Sequence, residues 1–244
     1  MNLTIGWLYP RLMNVYGDIG NVIVLKRRTE QRGIKTIVIN LDVGFSTDEL
    51  NRCDLLFMGG AQDRQQTIVS SDLRKKAKKL KEKIESGTPG LYVCGAFQFL
   101  GKYYKEADGT IVKGLGIFDL YTENPGESFP RLIGNVAIES ELGTLIGFEN
   151  HGGRTYLEKD IKPLGKVIKG FGNNGKDKTE GAIYKNSFGT YFHGPILPKN
   201  PKLADHLIKI SLEKKYGSPI KLSPIENMIE EKARKTIAMR LGLM

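Results

Sequence analysis

Residues 91–101 read LYVCGAFQFLG: an apolar run, a cysteine, a glycine, and then the opening of a helix. A strand that ends at a cysteine and turns through glycine into a helix is the joint of a βα unit. Free cysteines are usually small buried hydrophobes. At the carboxyl end of a strand, however, Cys94 faces the crevice in which open α/β sheets bind their ligands. Whether this joint is one of several decides the fold.

It is one of several. LTIGWLY (3–9) reads as a strand, DIGNVIVLKRRTEQRG (18–33) as a helix stopped by Gly33, KTIVINL (35–41) as a second strand and CDLLFMGG (53–60) as a third ending in paired glycines. A lysine-rich helix, DLRKKAKKLKEKIES (72–86), precedes PGLYVCG (89–95), the fourth strand. This alternation predicts βαβ units around a parallel sheet, and runs such as TIVINL and LLFMG suit strands covered on both faces. After residue 106 come Gly- and Asn-punctuated β segments, from ADGTIVKG to EGAIYKNSFGTYFHG, which predict hairpins packed on or extending the sheet. Helices follow at 201–217 and, beyond the proline-bearing SPIKLSP, at 226–242. The fold class is α/β: a parallel sheet with flanking helices, a hairpin-rich second half and a C-terminal helical extension. The boundaries are placed at 1–205 for the main domain and 206–244 for the extension.

Composition narrows the chemistry. The 244 residues are 40% hydrophobic and 26% charged, as in chains that bury a core. No stretch reaches the roughly 18 apolar residues of a membrane span, and MNLTIGWLYP lacks the form of a secretory signal. Two cysteines (Cys53 and Cys94) point to a reducing, cytoplasmic setting, and three histidines without a CxxC pair argue against zinc. Much of the net charge of +10 lies in 72–86, where Leu73, Ala77, Leu80 and Ile84 recur at helical spacing and leave the lysines on a wet face. Nucleic-acid binding through that face would show as steep salt dependence, but no aromatic residues interleave as a stacking platform needs. There is no P-loop GxxxxGK[ST].

A thiol attacks as thiolate, which a helix N-terminus favours. Gly95 permits the sharp turn, and its amide is placed to donate to an oxyanion. The partner base must be one of three histidines. His193 ends a short apolar strand before Gly-Pro; His151 lies in the glycine-rich ENHGGRT; His206, beside Asp205, reads as surface. Asp18, in the loop after the first strand, shares the carboxyl edge with Cys94 and serves as helix N-cap, as the acid that orients the histidine, or as both. Glu149 is the alternative acid, otherwise a strand-end surface carboxylate. Gly59 and Gly60 end the third strand, where the amide of Gly60 would complete an oxyanion hole with Gly95.

Cys94 with a histidine 99 positions later resembles a class I glutamine amidotransferase. YGDIGN, FMGGAQDRQ, CGAFQFLG, GFENHGGRTY, GFGNN and YFHGPILPKNP together resemble its cobyric-acid-synthase-like (CobB/CobQ) branch, over roughly residues 1–205. The resemblance implies a flavodoxin-like fold, a Cys94 nucleophile and a His193 acid–base. It also implies substrate contacts from Gln98 and from Arg131, whose guanidinium would grip the α-carboxylate of glutamine. Two departures stand out. Tyr92 and Ala96 replace the glycines that usually flank the nucleophile turn, and Pro195 stands where ordinary class I domains carry the histidine's glutamate, an absence the branch shares. Asp63, Arg64 and Arg154 lie in the motif stretches without an assigned role.

Within the branch the motifs sit nearest to glutaminase subunits that pass ammonia to a Mur-ligase-like (MurT-like) synthetase, which amidates the α-carboxyl of D-glutamate in lipid II. The resemblance thus implies a heterodimer, no cofactor in this chain, and ATP and Mg on the partner. The basic helix and the C-terminal helix are the exposed elements expected to dock. Other readings are an amidotransferase for a corrinoid or another acceptor, a stand-alone thiol hydrolase, and a non-catalytic scaffold.

Overall fold

The computed structural model describes residues 1–61 and 63–243, except the side chains of Asp63, Arg64 and Thr67. The first half alternates as expected. β1 (Asn2–Leu8) leads through a loop to α1 (Ile19–Glu30), β2 (Lys35–Leu41), α2 (Thr47–Asn51) and β3 (Leu55–Met58). Then come α3 (Asp63–Lys75), α4 (Ala77–Glu85), β4 (Gly90–Val93) and α5 (Gly95–Leu100). The second half contributes β5 (Tyr103–Lys105), β6 (Ile111–Lys113), β7 (Leu120–Glu123), β8 (Leu132–Ser140), β9 (Gly143–His151), β10 (Arg154–Leu157) and β11 (Gly165–Lys169). It ends with β12 (Thr179–Glu180), β13 (Ala182–Tyr184), β14 (Ser187–Thr190), β15 (Phe192–His193), α6 (Pro201–Tyr216) and α7 (Met228–Arg240).

The main sheet has the order β13-β14-β4-β3-β1-β2, with β14, β4, β3, β1 and β2 parallel and β13 antiparallel at the edge. β3 and β4 are wholly buried, as strands covered on both faces must be. β2 departs from that expectation. As an edge strand it leaves Lys35, Ile37 and Asn40 in solvent. The lysine-rich helix also differs: it starts earlier and breaks at Lys76 (φ −111°, ψ 2°). Lys76 is not wet but buried, paired with Asp72 at 2.7 Å and lying over the Phe45 ring. Leu73, Leu80 and Ile84 do face the core.

The second half forms two further sheets, ordered β10-β7-β5-β6 and β12-β11-β8-β9-β15. β15 is the link that matters. The chain leaves β14 of the main sheet and pairs at once with β9, Phe192 against Glu149 and His193 against Phe148. Residues 205 and 206 are neighbours within α6, whose Leu203, Leu207, Ile208 and Leu212 belong to the main core, so the expected domain boundary falls inside one packed helix. α7 lies over the five-stranded sheet, with Ala238 against Ala137 and Ile146. None of the described helices is long and apolar enough to cross a membrane.

Candidate active site

The carboxyl ends of four strands, β1, β3, β4 and β14, deliver the site. β4 ends at Cys94, which adopts φ 53°, ψ −108°. Positive φ in a residue with a Cβ costs on the order of 1–3 kcal/mol and persists only where its surroundings over-determine it. Here the Cys94 amide donates to the Thr190 carbonyl at the end of β14 (2.8 Å), and its carbonyl accepts from Gln98 in α5 (3.0 Å). Held from both sides, the turn lifts the thiol off the sheet at the start of α5, and Cys94 keeps 9% of its surface open.

Opposite it stands His193. A Cβ placed on Gly60 would lie 2.9 Å from His193 Cε1 and 3.3 Å from the Cys94 Cβ, so thiol and imidazole flank one glycine. His193 is fully buried, and its Nδ1 lies 3.6 Å from Asp18 Oδ1. Burial alone would lower its proton affinity. The charge of Cys94 and the Asp18 carboxylate outweigh burial and push His193 up to about 10. Both neighbours favour the imidazolium form of His193, the form able to give up a proton.

Asp18 does not cap α1. That amide, of Ile19, is taken by Asn14 Oδ1 at 2.7 Å, and Asp18 turns inward at 0% exposure. Its Oδ2 accepts the Gly60 N–H at 2.8 Å while Oδ1 faces His193. This corrects the expectation for Gly60: its amide is spent on Asp18 and cannot serve an oxyanion. The next amide, Ala61 N, approaches Gly95, lying 3.5 Å from where a Gly95 Cβ would stand. The backbone amides of Gly95 and Ala61 thus lie side by side next to Cys94, with Gln66 Nε2 3.2 Å from the same point. Gly59 is equally close-packed, with the Met13 carbonyl 2.5 Å from any Cβ there.

The rival residues lie elsewhere. Glu149 is no surface carboxylate. It is completely buried and accepts from the amides of Phe171 (2.6 Å) and Gly172 (2.8 Å), 3.6 Å from His151. His151 stacks on Tyr191 at 3.6 Å with Nδ1 on the Gly153 carbonyl, and burial lowers its proton affinity. His206 is half-buried against Phe188 rather than free on the surface. Gln98 is 5% exposed, and its amide nitrogen donates to the Tyr191 hydroxyl (3.1 Å), beneath the elbow rather than in an open pocket. Arg131 is exposed and held by Asn150. Arg154 braces the same loop through the carbonyls of Gly152 and Pro130, whereas the side chains of Asp63 and Arg64 lie outside the described residues.

Three residues in this region escape sequence reasoning. Tyr16, in YGDIGN, stacks edge-on against His193 at 4.7 Å. Asn150 joins Tyr16 to Arg131. Glu180 is buried under Thr190 and Tyr191 and accepts from both. Only position within a motif could have flagged the first two, and nothing marks the third.

Residues 4–201 match the model of the CobB/CobQ-like glutamine amidotransferase domain. The chain is 46% identical to the lipid II isoglutaminyl synthase (glutamine-hydrolyzing) subunit GatD of Staphylococcus aureus, over 98% of this chain and 96% of that protein. Identity to the protein of the same name from Streptococcus pneumoniae is 44%, over 94% and 88%. Among solved structures, a glutamine amidotransferase aligns with TM-score 0.60 at 15% identity, covering 85% of this chain and 98% of that one, a likeness of fold alone.

Proposed function

The chain belongs to the CobB/CobQ-like glutamine amidotransferase family, and we propose that within it the protein is the glutaminase subunit of a lipid II isoglutaminyl synthase. It hydrolyses L-glutamine and hands the ammonia to a Mur-ligase-like synthetase. That partner, with ATP and Mg, amidates the α-carboxyl of D-glutamate in lipid II at the cytoplasmic face. The observation that carries the reaction is the strained Cys94 elbow set against His193 with Asp18 behind it. The choice of acceptor draws on the likeness to the two GatD proteins.

In this mechanism the Cys94 thiolate attacks the γ-amide carbon, and the oxyanion is met by the amides of Gly95 and Ala61. His193 gives its proton to the nitrogen as the C–N bond breaks, releasing ammonia and leaving a γ-glutamyl thioester. It then takes a proton from water, which adds to the thioester; C–O forms, C–S breaks, and glutamate leaves with the thiolate restored. Arg131 holds the α-carboxylate. Asp18 keeps the imidazole oriented and charged.

Glutamate release from L-glutamine, measured for wild type and Cys94→Ala, each alone and with a MurT-like synthetase, tests the reading. Release by wild type, stimulated by the synthetase and absent in the variant, is the expected result. No release from a folded wild type under either condition overturns it.

A further inference from the structure

Tyr16 is 50% exposed and adopts the left-handed conformation (φ 55°, ψ 24°), followed by Gly17 at φ 77°. Its ring covers His193 edge-on, and its hydroxyl accepts from Asn150 Nδ2 at 2.8 Å. The other end of the same side chain, Asn150 Oδ1, accepts from Arg131 Nε at 2.9 Å, and the Asn150 carbonyl accepts from Arg131 Nη2 at 3.0 Å. The residue expected to grip the substrate is thereby wired, through one amide side chain, to the ring lying on the base.

Nε and Nη2 form one edge of the guanidinium fork, the edge a carboxylate takes with two parallel bonds. The remaining Nη1 lies beside Gly152, 3.3 Å from where a Cβ would stand. An incoming α-carboxylate and Asn150 therefore compete for the same two N–H groups. We propose that Tyr16 and Asn150 are positioning residues forming a substrate-sensitive latch, which keeps Tyr16 over His193 until the α-carboxylate draws Arg131 away from Asn150. The proposal rests on the roles given above to Arg131 and Cys94.

The physics favours a movable part. Tyr16 already has half its surface in water, so swinging outward gives up one neutral hydrogen bond and one ring contact and no core packing. Its left-handed backbone stores strain that the open position can release. The latch also has a chemical use. Amides without an α-carboxylate leave it shut, so the reactive pair is exposed to amino-acid substrates and withheld from others.

The test compares two reagents on the full-length protein, read at the Cys94 peptide by mass spectrometry. Iodoacetamide carries no carboxylate; 6-diazo-5-oxo-L-norleucine carries the α-amino acid group of glutamine. In Tyr16→Phe the ring stays and the hydroxyl is lost. Alkylation by iodoacetamide should rise about fivefold, the worth of one exposed neutral hydrogen bond, with the diazo reagent changing less than about twofold. In Asn150→Asp a resident carboxylate holds Arg131 and accepts from the Tyr16 hydroxyl, which reverses that bond and keeps the ring in place. The diazo reagent should therefore slow about tenfold and KM for glutamine rise in step, with iodoacetamide labelling no faster than wild type. A merely structural role would move both reagents together. Tyr16→Phe within about twofold of wild type toward iodoacetamide, or Asn150→Asp within about twofold toward the diazo reagent, overturns the latch. If wild type neither turns over glutamine with the synthetase nor reacts with the diazo reagent, the glutaminase reading fails instead. The iodoacetamide comparison still decides whether Tyr16 is latched.

Discussion

Asp18→Asn separates two jobs that one carboxylate performs. Asparagine can still accept the Gly60 N–H with its carbonyl oxygen, as Asp18 Oδ2 does at 2.8 Å. What it cannot supply is the negative oxygen 3.6 Å from His193 Nδ1. At that distance a unit charge pair in an effective dielectric of about 20 is worth roughly 4–5 kcal/mol, or about three pKa units. That is a ceiling, because the Cys94 charge, a larger contributor than Asp18, stays in place. A fall of about one to two units from the wild-type value near 10 is expected. The chain has three histidines, and burial holds His151 and His206 below their ordinary value, so at pH 8 the imidazolium carbon signal of His193 should stand alone in a ¹³C NMR titration. The alkaline limb of glutaminase activity should move down by the same interval, since the proton donated to ammonia is lost sooner. A His193 that titrates at 6.5 or below in wild type, or within 0.3 units of wild type in a folded Asp18→Asn, would refute the argument.

Three further outcomes follow from the geometry. Gly60→Ala puts a methyl 2.9 Å from His193 Cε1 and 2.8 Å from Val15 Cγ2, so kcat should fall at least about 100-fold in a chain whose circular dichroism is unchanged. Cys94→Gly and Cys94→Ala both end glutamate release. The glycine variant should nonetheless melt about 2–4 °C above the alanine one, the reverse of the usual order, because only glycine relaxes φ 53°. Burial pushes Glu180 up to about 8, against the Tyr191 amide and Thr190 hydroxyl that favour its charged form. The stability this gives is complete below about pH 4.5 and lost as pH rises through 8, so Glu180→Gln should gain several kcal/mol on wild type between pH 5 and pH 9, read as diverging melting midpoints.

The parallel half was legible because each of its joints is written in local chemistry: apolar runs of strand length, paired glycines at 59–60, Gly33 after a helix, and the cysteine–glycine turn at 94–95. The second half announced hairpins, but not that they divide into two sheets, since pairing there depends on contacts distant in sequence. Cys94, His193 and Asp18 could be singled out because their chemistry narrows the choice: one cysteine at a strand end, three histidines, one acid on the same edge. The Gly60 amide was misassigned for a physical reason. A sequence shows that an amide ends a strand, but not that a carboxylate 42 positions earlier has claimed it. Glu149 misled in the opposite way. A charged residue at a strand end reads as solvated unless something pairs it, and its partners are backbone amides of a loop that carries no mark of them.

The hydrogen bond from Cys94 to Thr190, and the step from β14 into β15, have a consequence for when the protein can act. Both tie Cys94, the proposed nucleophile, to a segment nearly a hundred residues downstream, and His193, its proposed acid–base, lies on that same segment. A chain still emerging from the ribosome with β4 already exposed has its cysteine without the contact that bends it and without a proton donor. On the proposed mechanism, reactivity toward glutamine therefore requires β14 to be seated against β4. A chain cut before residue 187 would keep Cys94 in its sequence but lose both the Thr190 contact and His193.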